Sequence, residues 1–201
     1  QIPADFVVHS PIAYIPDDNF RMAINEALGQ PNDYQPTIAD LQGITGSLDA
    51  AYRSISSIVG AQYLTNLQEL YLNYNQISDL SPLAGLTNLQ GINLGCNMIS
   101  DLTPLAGLTN LRWLFLFSNY ISNIVPLEGL YNLRNLQLHY NQIRDISPLS
   151  VLINIGGIAL GSNQISDITP LTELTHLIGL ELYNNQVDDI KSLSRLVNIQ
   201  W

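Results

Sequence analysis

The sequence predicts an α/β repeat solenoid: a curved stack of short parallel strands and tight return turns, closed at its N-terminal end by helices. Three observations carry this expectation. A 22-residue unit recurs without a gap, each unit repeats the same apolar and asparagine positions, and a helix-patterned segment without the repeat precedes them.

Segments beginning at Leu64, Leu86, Leu108, Leu130, Leu152 and Leu174 align in register, and a further one begins at Leu196 and stops at Trp201. The first reads LTNLQELYLNYNQISDLSPLAG and the next LTNLQGINLGCNMISDLTPLAG. Each carries LxxLxLxxN, as in Leu67, Leu70, Leu72 and Asn75, which is the pattern of a leucine-rich repeat. Alternation along a strand puts Leu70 and Leu72 on one face and Tyr71 on the other. Successive repeats then pair their strands in parallel at about 4.7–4.9 Å. The column Asn75, Asn97, Asn119, Asn141, Asn163 and Asn185 falls where the chain leaves the strand, and an amide there satisfies backbone groups that the turn exposes.

The return limb, Ile77 to Leu83 in the first repeat, has three inward apolar positions and a proline. It is too short and too proline-limited for a full helix, so a 3₁₀ or irregular turn is expected. Strands pack more closely than these bulkier limbs. The sheet therefore lines the concave side of a horseshoe segment, and the irregular turns form its convex side.

Residues 1–45 are read as a helical N-terminal cap. Asp17 or Asp18 caps a first helix with Phe20, Ile24 and Leu28 at helical spacing and Gly29 at its stop. Thr37 and Asp40 form a capping box for a second. Residues 46–63 read as a degenerate first repeat, with Leu48, Ile55 and Ile58 one period before Leu70, Ile77 and Leu80, and Arg53 in the asparagine column. Residues 64–195 make six repeats and 196–201 a truncated seventh. The expectation at that end is that the natural chain continues or that a partner covers it, and the start at Gln1 reads as a mature or trimmed N-terminus.

Composition narrows the function. A net charge of −10, from 17 acidic and 7 basic side chains, argues against nucleic acid and anionic membranes as partners. No apolar run reaches the length of a membrane span, so direct insertion is not expected. Cys96 is the single cysteine, which leaves no internal disulfide and no cysteine-based zinc site.

Because the repeats are in register, the outward strand positions can be read as columns. They run Glu69, Gly91, Trp113, Asn135, Gly157, Gly179; then Tyr71, Asn93, Phe115, Gln137, Ala159, Glu181; then Asn73, Gly95, Phe117, His139, Gly161, Tyr183. Three large aromatics, Trp113, Phe115 and Phe117, share one repeat at the centre of the concave face. Clustered apolar anchors of this kind are what a protein interface uses, and they form the candidate binding site. The glycines and Ala159 on neighbouring strands are expected to leave these rings standing proud. Tyr71, Tyr74, Tyr140 and Tyr183 rim the patch, with Gln137 on the same face. Arg112, Arg134, Glu69 and Glu181 supply charge, and His139 is expected to make binding pH-dependent. The competing structural reading is that the rings stabilise the sheet, or pack on another domain or a second copy.

Chemistry is not expected. The convex acids Asp79, Asp101, Asp145, Asp167 and Asp189, with Asn123 in the same column, read as turn caps rather than a calcium ladder. His9, His139 and His176 are scattered, with no serine or carboxylate in a triad arrangement, and the glycines fall in repeat columns rather than in a phosphate loop. No catalytic residue, metal site or cofactor is predicted.

The cap, the run SISSIVGAQYLTNLQELYLNYNQISDLSPL and the 22-residue period together resemble the bacterial internalins over nearly the whole chain. The repeat alone is shared with other leucine-rich-repeat proteins, including intracellular phosphatase regulators; the cap running into GAQYLTNL is the more specific part. The resemblance implies a secreted or cell-surface bacterial module, adhesin-like, that binds a host cell-surface protein through its concave face. An intracellular regulatory subunit docking an enzyme and an inert spacer are the alternatives. Carbohydrate is a second ligand class, because sugars also stack on aromatic rings.

Overall fold

The computed structural model describes residues 10–199; His9 and Trp201 lie outside them. Helix α1 spans Asp18–Ala27 and begins at Asp17, whose Oδ1 accepts from the backbone N–H of Asn19 and Phe20, each at 3.0 Å. Its inward stripe buries Phe20 and Ile24 completely. After the C-cap Leu28, Gly29 takes a left-handed φ of +66°, which a side chain would resist. Helix α2, Ile38–Gly43, carries the expected capping box: Asp40 N–H donates to Thr37 Oγ1, and Thr37 N–H donates back to Asp40 Oδ2 at 2.7 Å.

Seven strands follow: β1 Gly46–Asp49, β2 Leu67–Tyr71, β3 Gly91–Asn93, β4 Trp113–Phe115, β5 Asn135–Gln137, β6 Gly157–Ala159 and β7 Gly179–Glu181. They form one parallel sheet in sequential order. Strand β1 comes from the degenerate repeat and pairs with β2 through a register shift between Gly46 and Ser47. The return limbs are short 3₁₀ turns such as Ser81–Leu83 and Thr103–Leu105, with proline in the first turn, where its missing N–H costs nothing. Between sheet and turns the apolar columns form one continuous core in which Leu70, Ile92, Leu114 and Leu136 are fully buried. Burial declines in the last described repeat, where Leu182, Val187 and Leu193 are only partly covered, because a neighbour packs on one side alone.

The asparagine column staples each repeat to the one before it. Asn119 Nδ2 donates to the carbonyls of Leu94, in the preceding repeat, and Leu116, in its own, while Asn119 Oδ1 accepts from Ile99 N–H at 2.9 Å. Asn97, Asn141 and Asn163 do the same and are buried with it. Arg53 needs no amide of its own, since Asn75 Oδ1 reaches back to the N–H groups of Arg53 and Ile55; its guanidinium instead pairs with Glu26 of α1.

Two further columns emerge only in the structure. The residue before each asparagine is left-handed although none is glycine: Tyr74, Cys96, Ser118, Tyr140, Ser162 and Asn184 have φ between +51° and +57°, and Tyr52 occupies the same place in the degenerate repeat. That conformation costs roughly 1–2 kcal/mol per residue, and the amide bonds beside it hold it in place. A second amide ladder runs along the start of each repeat, where Asn66, Asn88, Asn110, Asn132, Asn154 and Asn198 donate to a carbonyl 23 or 24 residues earlier. His176 fills the remaining place with Nδ1 at 3.1 Å from the Ile153 carbonyl oxygen, which accounts for that histidine.

The convex acids cap turns as expected. Asp79, Asp101, Asp145, Asp167 and Asp189 each accept through Oδ1 from the N–H two residues on, and Asn123 does the same for Val125.

Candidate functional site

The concave positions of β2 to β7 are set by the strand alternation, so Trp113 and Phe115 face outward on either side of the buried Leu114. The structure corrects the expectation that the glycines leave the rings of Trp113 and Phe117 standing proud. A Cβ built on Gly91 would lie 1.9 Å from Trp113 Cε2, and one on Gly95 would lie 2.3 Å from Phe117 Cε1. Tyr183 covers Gly161 in the same way, at 2.3 Å from its Cε1. The glycines are seats: the rings of Trp113, Phe117 and Tyr183 lean over the preceding repeat and fill the space that a side chain would take at Gly91, Gly95 and Gly161.

Leaning carries each ring on to a tyrosine further back. Trp113 crosses Gly91 to reach Tyr71, with centroids 5.5 Å apart; Phe117 crosses Gly95 to reach Tyr74 at 6.4 Å; Tyr183 crosses Gly161 to reach Tyr140 at 6.4 Å. The predicted single cluster resolves into two chains of ring contacts. One joins Tyr71, Trp113 and Phe115, the last two 5.1 Å apart. The other joins Tyr52, Tyr74, Phe117, His139, Tyr140 and Tyr183. Tyr52 is an addition to the set that sequence columns supply; it stacks on Tyr74 at 4.2 Å and is 70% exposed. Its place one period before Tyr74 is the signal that marks it.

His139 stacks on Phe117 with centroids 5.1 Å apart and planes within 3°. Burial disfavours its imidazolium and lowers its pKa, an effect that the Glu181 charge opposes. Its Nδ1 is buried without a hydrogen-bond partner among the described residues. Tyr71 donates its hydroxyl to Glu69 Oε2 at 2.9 Å; burial first, and then this carboxylate, raise the phenol above its ordinary pKa. Glu69 is therefore engaged with Tyr71 rather than free.

The remaining predicted residues separate. Gln137 and Glu181 border a shallow hollow of about 300 Å³ beside the aromatics, with Asn135, Gly157, Ala159 and Gly179 around it. Arg134 turns to the carbonyls of Asn132 and Leu133. Arg112 sits in a different, polar hollow with Asn88, Gln90, Asn110 and Asn132. The face thus offers half-buried rings held in fixed orientation, an acidic margin and a small depression. It presents apolar area with polar tips to a partner surface. Among the described residues, no group of three or more histidine, cysteine or acidic side chains is arranged to hold a metal ion, and no helix is long and apolar enough to cross a membrane.

The chain is similar to known proteins in sequence and fold. A family model of leucine-rich repeats, in two copies, matches residues 65–107 and 109–151. Internalin C2 from Listeria monocytogenes is 38% identical, with a TM-score of 0.73 over 92% of this chain and 91% of that one. A second Listeria monocytogenes internalin, inlF, is 28% identical, with a TM-score of 0.50 over 96% of this chain and 78% of that one. A comparison with curated proteins gave no match.

Proposed function

Since the chain belongs to the internalin family of leucine-rich-repeat proteins, we propose that it is a non-catalytic bacterial recognition domain, secreted or surface-attached, that binds a host cell-surface protein. Repeat fold and family together make it a protein-interaction module; the adhesin role, the receptor and the location are the proposed part. The observation that carries the reading is the aromatic arrangement. Trp113, Phe115, Phe117 and their tyrosine partners lie half-exposed on a sheet otherwise lined with small and polar residues, and rigid aromatic anchors of this kind dominate protein interfaces. Pre-packing on glycine reduces the rotamer entropy lost on binding.

The test is capture from solubilised cell-surface proteins and, separately, from a cytosolic extract, by the wild-type chain and by a Trp113→Ala, Phe115→Ala, Phe117→Ala variant with the same circular dichroism and thermal midpoint. A surface protein retained only by the wild type supports the reading. A cytosolic enzyme retained in that manner would favour an intracellular regulatory subunit, and identical capture by both chains would favour a spacer.

A further inference from the structure

All seven cationic side chains lie among the described residues, and six are engaged. Arg21 pairs with Asp18, Arg53 with Glu26, Lys191 with Asp189 and Arg195 with Glu173. Arg144 donates to Gln164 Oε1, and Arg134 to two backbone carbonyls. Arg112 alone makes no side-chain hydrogen bond or ion pair among the described residues, in a chain of net charge −10. An uncommitted guanidinium where acids outnumber bases is available to a ligand.

Its surroundings specify which kind. The hollow around Arg112, about 320 Å³, is lined by Asn88, Gln90, Asn110 and Asn132 with almost no apolar wall. Asn88, Asn110 and Asn132 each commit Nδ2 to a backbone carbonyl, of Thr65, Thr87 and Thr109 respectively, at 2.8 Å. Those bonds fix the amide orientation and leave each Oδ1 as an unused acceptor, one per repeat. The site therefore combines one forked cationic donor with a row of neutral acceptors.

We propose that this hollow binds a carboxylated sugar, the acidic end of a glycan, with Arg112 holding the carboxylate and the asparagine oxygens accepting from the ring hydroxyls. A phosphate or sulfate would satisfy the arginine but has no hydroxyl donors for the amide oxygens. A neutral sugar leaves the guanidinium unpaired, and an acidic protein side chain uses the arginine and nothing else. Fork-to-carboxylate geometry supplies the charge recognition, and the amide row supplies the distinction from a bare acid. The site is separate from the aromatic face, so it stands or falls independently of the protein-binding reading.

The experiment is an NMR titration of the whole chain with N-acetylneuraminic acid, galactose and glutarate as probes. Saturable shifts at the amides of Asn110, Arg112 and Asn132 with N-acetylneuraminic acid are expected, at an affinity of about millimolar for a single sugar. Galactose and glutarate should bind at least about tenfold more weakly, the loss of one charge-assisted or several neutral hydrogen bonds. Arg112→Ala should abolish the response and Arg112→Lys weaken it severalfold, while the triple aromatic variant should respond as wild type. Because Arg112 is exposed, neither arginine substitution should disturb folding. Absence of saturation with N-acetylneuraminic acid, an unchanged response in the Arg112→Ala chain, or glutarate binding as well as the sugar would overturn the proposal; the last would assign the hollow to an acidic protein side chain.

Discussion

The indole of Trp113 rests on the backbone of Gly91, so closely that a Cβ at Gly91 would fall 1.9 Å from Trp113 Cε2. The aromatic face is thus specified by pairs of positions one repeat apart: an aromatic, and the glycine that gives it a seat. Gly91→Ala should displace the indole, shift tryptophan fluorescence and cost about 1–3 kcal/mol in stability, the usual range for overpacking. Gly179, with nothing within 4 Å of its built Cβ, is the control, and Gly179→Ala should stay within about 0.5 kcal/mol of wild type by urea denaturation.

Asn119→Ala removes the donor to the carbonyls of Leu94, in the preceding repeat, and of Leu116 and Phe117, in its own, and leaves the buried Ile99 N–H without an acceptor. The expected loss is about 3–4 kcal/mol, because more than one buried backbone group is left unsatisfied. Asp79→Ala deletes only an exposed turn cap and should cost about 1 kcal/mol or less. Chemical denaturation of the two variants side by side checks the contrast; equal losses would show that the asparagine column does not couple repeats.

Burial lowers the pKa of His139 in the folded chain, and the opposing Glu181 charge does not cancel it. As pH falls, the unfolded chain therefore takes up this proton first. The contribution to stability is full above the ordinary histidine pKa of 6.5 and is lost as pH falls from there through the folded value. The thermal midpoint of wild type should drop between pH 7.5 and pH 5.5 by more than that of His139→Gln. Parallel pH profiles for the two chains would mean that burial does not hold the imidazole neutral.

The solenoid is legible in the sequence because its determinants are periodic: the leucine columns fix the strands, and Asn75 and its successors fix the turns. Asp17, Thr37 and Asp40 announce the cap through residue types that do one job well. What escapes is pairwise. Gly91, Gly95 and Gly161 read as empty ground until the rotamers of Trp113, Phe117 and Tyr183 show them occupied, since a column lists neighbours without saying which way a ring leans. The left-handed column escapes because Tyr74, Cys96 and Ser118 are not residues that favour that conformation; the neighbouring amides impose it. Arg112 and Arg134 look equivalent in sequence, and only their partners separate them.

The central claim is that the rings of Trp113, Phe115 and Phe117 anchor a protein partner. Its most direct test is the dissociation constant of the captured surface protein for three folded chains: wild type, the triple alanine variant, and Val151→Ser with Ile153→Ser, whose exposed side chains lie outside the concave strands. Loss of a central aromatic anchor set is worth at least about 3 kcal/mol, so the triple variant should bind about a hundredfold more weakly or worse, with the control pair unchanged. A triple variant that binds within about threefold of wild type, a difference well under 1 kcal/mol, would contradict the claim and leave the aromatics as packing for the sheet.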